Sequence, residues 1–132
     1  MIAKMIHTML RVEDEEISTE FYKRAFELDI ADRYEFDTFT LVYMRNRETK
    51  FELELTVNKD GTGPYDLGNG YGHLAVTVED IETAHAFHKS LEMQPGKVIK
   101  LNRDNTVFAH FYFLQDPDGY RIEVLQRQHR FL

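Results

Sequence analysis

HTMLRVEDEEISTEFYK, residues His7–Lys23, and HLAVTVEDIETAHAFHK, residues His73–Lys89, align without a gap, because 73 − 7 = 66 and 89 − 23 = 66. The identical pairs are His7/His73, Val12/Val78, Glu13/Glu79, Asp14/Asp80, Glu16/Glu82, Phe21/Phe87 and Lys23/Lys89. An offset of half the 132-residue chain means two copies of one supersecondary module, not an array of short units. Each copy opens on an extended run, passes an acidic Glu-Asp turn and enters a helix. Ile17, Phe21, Ala25 and Leu28 in the first helix, and Ile81, Ala84, Phe87 and Leu91 in the second, recur at helical spacing and are expected to face a core. The second helix is expected to stop near Gln94-Pro95-Gly96, and the first to fade around Asp29, where a strand-like stretch begins.

The segments after each helix read as β-structure. In the first half, residues 39–44 and 51–57 are rich in strand formers and are joined by a polar turn at 45–50. In the second half, residues 98–101, 106–114 and 120–125 play that part, and Asp116-Pro117-Asp118-Gly119 places Pro and Gly where a type I turn takes them. The pattern predicts β-α-β-β-β in each half, over about residues 4–58 and 70–126, with the Gly- and Pro-containing segment 59–69 joining the halves within one domain.

Composition narrows the function. Hydrophobic residues make up 42% of the chain and charged residues 30%, the balance of a globular protein. A net charge of −7 argues against nucleic acid as a partner, since a phosphate backbone requires a basic stripe. Residues 1–16 contain no apolar run of signal-peptide length, and no later stretch approaches a membrane span, so a cytoplasmic protein is expected. The chain has no cysteine, which leaves metal and acid–base chemistry to His, Asp and Glu.

Four residues stand out against that background. His7 and His73 begin the matched segments at the same repeat position. Successive strand residues alternate between faces, so Glu52, Glu54 and Thr56 point away from Phe51, Leu53, Leu55 and Val57, and Glu123 points away from Tyr120, Ile122 and Val124. Either glutamate alone reads as part of a solvated face. Two imidazoles and two carboxylates at matching places read as a shared metal site if the modules pack about a pseudo-twofold axis. A set of two nitrogens and two oxygens with room for substrate suits octahedral Ni²⁺, Co²⁺ or Mn²⁺, and zinc also accepts these ligands. His85 and His88, three apart on the second helix, read as a wet helix face, His110 as an ordinary strand residue and His129 as part of a polar tail.

The blocks HTMLRVED, FYKRAF, ELELTVN, YDLGNGYGHLAVTV and DPDGYRIEV resemble glyoxalase I, the lactoylglutathione lyases of the vicinal oxygen chelate superfamily, over about His7 to Leu125. The resemblance implies an α+β fold in which two tandem βαβββ modules form a curved sheet around a metal cavity. It also implies metal ligands at His7, Glu54, His73 and Glu123, and contacts to the glutathione carboxylates from Arg11 and Asn58. Homodimers with the metal at the subunit interface are implied, and for chains this short Ni²⁺ or Co²⁺ in preference to Zn²⁺. The reaction implied is isomerisation of the methylglyoxal–glutathione hemithioacetal to S-lactoylglutathione, with Glu123 as the base and Glu54 its partner on the opposite face.

Where many relatives have a Lys-Gly-Gly type loop near the thiol, residues 101–106 read Leu-Asn-Arg-Asp-Asn-Thr, so Lys100 or Arg103 is the candidate for the basic contact and another thiol adduct is the alternative substrate. Fosfomycin-type thiol transferases and ring-cleaving dioxygenases use two histidines and one carboxylate, and methylmalonyl-CoA epimerase carries glutamine where Glu54 stands. Metal-free, drug-sequestering bleomycin-resistance proteins lack the complete ligand set and represent the non-enzymatic alternative.

Overall fold

The computed structural model describes all residues, Met1–Leu132. Its elements are β1 (His7–Arg11), α1 (Glu15–Phe26), β2 (Asp29–Glu35), β3 (Phe39–Asn46), β4 (Thr49–Asn58), β5 (Leu74–Val78), α2 (Ile81–Ser90), β6 (Ile99–Arg103), β7 (Thr106–Gln115) and β8 (Arg121–Gln126). Each half is β-α-β-β-β, as the repeat predicts, and the chain divides into two compact units, Met1–Asp66 and Leu67–Leu132. The architecture is α+β, with two four-stranded mixed sheets and one helix in each unit. No helix is long and apolar enough to cross a membrane.

In the first unit the strand order is β1-β4-β3-β2. β2, β3 and β4 form an antiparallel meander, and β1 joins the free side of β4 in parallel, which the long connection through α1 permits. The second unit repeats this as β5-β8-β7-β6, with β5 parallel to β8. In both sheets the glutamate-bearing strand, β4 or β8, has neighbours on both sides. Val12, Tyr22, Val42 and Leu55 form the fully buried centre of the first unit, and Tyr112, Leu114, Ile122 and Val124 that of the second. Each such side chain contributes roughly 1.5–3 kcal/mol through burial.

The Glu-Asp turns act as helix caps. Asp14 accepts from the Ile17 amide at 2.9 Å, and Asp80 from the Thr83 amide at 2.7 Å. Backbone hydrogen bonding holds the Asp80 carboxyl below its ordinary pKa. Glu27 ends α1 in the left-handed conformation, and its amide reaches the carbonyls of Tyr22 and Lys23.

The helix faces match the expected stripes only in part, with Ala25, Leu28 and Ile81 buried as expected. In α1 the buried side chains are Ser18, Tyr22 and Ala25, while Ile17 is 58% exposed. In α2 they are Ile81 and His88, while Phe87 is 48% exposed. His88 is therefore not on a wet face; it shares a 2.7 Å hydrogen bond with the Tyr112 hydroxyl, whose pKa burial drives upward. α2 also ends at Ser90, before the Gln94-Pro95-Gly96 breaker. Finally, β4 carries no solvated face near its middle, because Leu53, Glu54, Leu55 and Thr56 are all buried.

Candidate active site

β1 and β4 run in parallel with His7 opposite Glu52 and Met9 opposite Glu54. Alternation puts His7, Met9 and Arg11 on the same face as Glu52, Glu54, Thr56 and Asn58. On that face His7 Nε2 lies 3.3 Å from Glu54 Oε2. The second unit builds the same pair: His73, one residue ahead of β5, has Nε2 3.4 Å from Glu123 Oε1 on β8. In both pairs the carboxylate is the more enclosed partner, with 12% and 17% side-chain exposure against 34% and 40% for the histidines. Rooted carboxylates and accessible imidazoles suit a site that an ion and a substrate must enter.

The positions of His73 and Glu123 have identifiable local causes. Asp116, buried at the corner between β7 and β8, accepts from the amides of Asp118 and Tyr120, both at 2.9 Å, and Gly119 takes a φ of 92° that a side chain would strain. The DPDG corner is thus tied by its own first side chain, which sets where β8 begins. Tyr71, within the GYGH block, donates its hydroxyl to the Arg121 carbonyl at 3.0 Å and meets Tyr120 edge-on at 5.2 Å. That contact pins the segment before His73 against the start of β8.

Aromatic rings flank both pairs. Tyr43 on β3 meets His7 edge-on at 5.9 Å, and Phe113 on β7 meets His73 at 5.5 Å. The neighbouring Glu54 carboxylate, and then burial, push the Tyr43 pKa up to about 12. The Arg121 guanidinium carbon sits 4.0 Å over the Phe113 ring. Tyr43 and Tyr71 escape a reading of the sequence alone, although Tyr71 lies inside a block that stands out. The signal for Tyr43 is its strand position, an aromatic residue across the ladder from a glutamate.

Of the remaining candidates, Arg11 and Asn58 lie at the ends of β1 and β4 on the face of the first pair, and Asn58 donates to the Tyr65 hydroxyl at 3.1 Å. Within residues 101–106, Asp104 and Asn105 make the two-residue hairpin turn between β6 and β7, at φ 51° and 63°. Lys100 and Arg103 are exposed on β6.

The donors fit a divalent cation. Two ligand atoms each about 2.1 Å from one ion stand about 3.0 Å apart at a right angle and about 3.4 Å apart at the tetrahedral angle. The observed His–Glu separations of 3.3 and 3.4 Å need only small adjustments to share an ion. No cluster of three His, Asp or Glu residues forms, and each unit presents one His–Glu pair.

Residues 4–124 match the family described as the Glyoxalase/Bleomycin resistance protein/Dioxygenase superfamily. This chain belongs to that superfamily. Lactoylglutathione lyase of Neisseria meningitidis is 37% identical over 95% of this chain and 91% of its own length. That of Haemophilus influenzae is 33% identical over 95% of this chain and 93% of its own. Among solved structures, the trypanothione-dependent glyoxalase I of Leishmania major superimposes with a TM-score of 0.73 at 32% identity, covering 95% of this chain and 87% of that one. These similarities place the chain among the glyoxalase I enzymes, a lyase family that works with a divalent metal. The fold and enzyme class implied by the sequence blocks are thereby supported.

Proposed function

We propose that the chain is a nickel-activated lactoylglutathione lyase that converts the methylglyoxal–glutathione hemithioacetal to S-lactoylglutathione, and so detoxifies methylglyoxal. The observation that carries this reading is the duplicated His–Glu pair, His7 with Glu54 and His73 with Glu123, at donor separations that one cation can span. The four residues together are the metal ligands, and the two modules act as a single domain. Ligands confined to nitrogen and oxygen favour Ni²⁺ or Co²⁺ in an octahedral site with two positions open to substrate, with Zn²⁺ less suited.

A bound cation supplies positive charge that polarises the two vicinal oxygens of the substrate and acidifies the adjacent C–H. The protein's part is proton transfer and orientation. Glu123 takes the proton from the carbon that carries sulfur and hydroxyl and returns it to the neighbouring carbon, while the hydroxyl proton passes to the oxygen on that neighbouring carbon. That first carbon becomes the thioester carbonyl, and the original carbonyl becomes the lactoyl hydroxyl. Free glutamate, with a pKa of about 4.3, is a weak base for carbon acids, so positioning must carry much of the barrier reduction. The DPDG corner and Tyr71 provide that positioning for Glu123. Arg11 and Asn58, on the Glu54 face, hold the glutathione carboxylates.

The assembly consistent with two half sites is a homodimer, each metal held by the first-module pair of one protomer and the second-module pair of its partner. Exposed Ile30 and Tyr34 on β2, with Ile99 and Leu101 on β6, provide apolar surface for a second copy to cover. The working compartment is the cytoplasm.

The test strips the protein with a chelator, reloads it separately with Ni²⁺, Co²⁺ and Zn²⁺, and follows S-lactoylglutathione formation. Turnover restored by nickel or cobalt and lost in Glu123→Gln supports the reading; no turnover with any tightly bound metal defeats it for glutathione. Trypanothione, the thiol on which the Leishmania enzyme depends, belongs in the same assay as the competing thiol.

A further inference from the structure

The two units carry opposite charges beside otherwise matched His–Glu pairs. Two residues ahead of Glu54 stands Glu52, whereas two residues ahead of Glu123 stands Arg121. Alternation keeps each on the face of its pair. His7 is level with Glu52 across the parallel ladder, and Leu74 is level with Ile122, which sets His73 level with Arg121. Glu52 belongs to an ion pair, with Arg45 at 3.9 Å. Arg121 has no such partner, although Arg33, Arg45, Arg103 and Arg127 each find a carboxylate within 3.9 Å. Its guanidinium instead lies 4.0 Å over the Phe113 ring, and that ring meets His73 edge-on at 5.5 Å.

A positive charge level with an imidazole that would hold a cation opposes that cation, unless an anion lies close to both. A guanidinium stacked on a phenyl ring is fixed in direction, and its N–H edge stays available to a carboxylate. The basic residues of β6 are less well placed. Lys100 stands opposite His110, so alternation turns it to the face away from Phe111 and Phe113. Arg103 stands opposite Thr106, at the other end of β7 from Phe113, and pairs with Asp104 at 3.8 Å. Arg11 and Asn58, assigned above to the thiol carboxylates, lie at the ends of their strands, past His7 and Glu54. Arg121 lies level with a ligand and so beside the reacting carbons.

We propose that Arg121 is a specificity-determining residue that admits hemithioacetals of 2-oxoaldehydes bearing a carboxylate of their own, by pairing with that carboxylate on the aldehyde side of the reacting carbons. The reaction is the isomerisation described above. The C–H bond on the sulfur-bearing carbon breaks, one forms on its neighbour, the hydroxyl proton passes to the neighbouring oxygen, and the product is a 2-hydroxyacyl thioester that keeps the extra acid. The inference rests on the functional reading above and names a further class of substrate for it.

The test compares the glutathione hemithioacetals of 4,5-dioxovalerate, a 2-oxoaldehyde ending in a carboxylate, and of its uncharged methyl ester, using nickel-loaded native protein, Arg121→Met and Arg121→Lys. Native protein is expected to prefer the acid to the ester by about 10–100-fold in kcat/KM, the range for a hydrogen bond to a charged group. Added salt should shrink that preference. Arg121→Met, which keeps the apolar stem and loses the charge, abolishes the preference, and Arg121→Lys keeps part of it. A native protein that does not distinguish acid from ester overturns the inference whatever the variants do. So does a preference unchanged in Arg121→Met, the result for a guanidinium that only supports Phe113. Loss in Arg121→Met of a preference for glutathione over its glycyl ethyl ester, with the dioxovalerate preference intact, assigns the arginine to the thiol and likewise overturns the inference. No nickel-dependent turnover of the methylglyoxal adduct by native protein overturns the functional reading itself.

Discussion

Replacing Tyr112 with Phe separates the scaffold from the chemistry. Tyr112 is fully buried on β7 and points toward α2, where its hydroxyl meets His88 Nδ1 at 2.7 Å and its ring meets His85 edge-on at 4.9 Å. The next residue, Phe113, faces the His73–Glu123 pair from the other side of the strand. Tyr112→Phe keeps the packing volume but removes one hydrogen-bond partner of an imidazole that is only 1% exposed. Losing a hydrogen bond to so buried a group costs about 1–3 kcal/mol. At roughly 3 °C per kcal/mol for a chain of this size, the expected fall in Tm is about 3–9 °C. Calorimetry of Tyr112→Phe, His88→Leu and the double variant measures it. The double variant should be less destabilised than the sum of the singles by about 1 kcal/mol or more, since both remove the same bond. Turnover per folded molecule, at saturating metal and substrate, should stay within about twofold of native because α2 lies on the opposite face from the proposed site. A Tm within about 1 °C of native, or strictly additive singles, would refute the claim that this bond anchors α2.

Two further expectations concern a helix cap and the assembly. Asp80→Ala should lower stability at neutral pH; a carboxyl held below its unfolded pKa contributes above that value, so the deficit should close as pH falls below about 4, read from paired denaturant titrations across pH. Co-expressing a chain that lacks the first pair (His7→Ala with Glu54→Gln) with one that lacks the second (His73→Ala with Glu123→Gln) should recover about a quarter of native activity. Half of randomly paired dimers are mixed, and each mixed dimer rebuilds one of two sites. Sites made within single chains would recover none.

The fold was legible because the sequence states it twice: a strand, a capping Glu-Asp, a helix and three further strands recur at a fixed offset, and both units follow that order. The Glu-Asp turns into both helices were legible for the same local reason, and the structure shows Asp14 and Asp80 capping them. Helix faces were legible only in part, at Ala25, Leu28 and Ile81. A helix of 12 residues has room for more than one plausible stripe, and α1 buries Ser18 and Tyr22 beside the expected Ala25 while Ile17 is exposed. In α2, Ile81 is buried as expected, but so is His88, a polar group that hydrogen-bonds Tyr112 in the core. No spacing rule finds that pairing, since its partner lies on a distant strand. The two histidines were legible from repeat position, whereas alternation left Glu52 and Glu54 on one face and the family resemblance chose Glu54; the structure brings each His–Glu pair within 3.4 Å. Tyr43 and Tyr71 were invisible because their roles depend on cross-strand register and on a contact spanning 50 residues.

Metal stoichiometry tests the central claim most directly. Equilibrium dialysis of the native protein against Ni²⁺ should give about one tightly bound ion per chain, as expected for two equivalent sites in a twofold dimer. Removing either pair alone, His7 with Glu54 or His73 with Glu123, should abolish tight binding, because each ion needs both pairs. Retention of about half the metal after deleting one pair would show two independent sites of two protein ligands each, and would contradict the shared four-ligand centre on which the proposed chemistry depends.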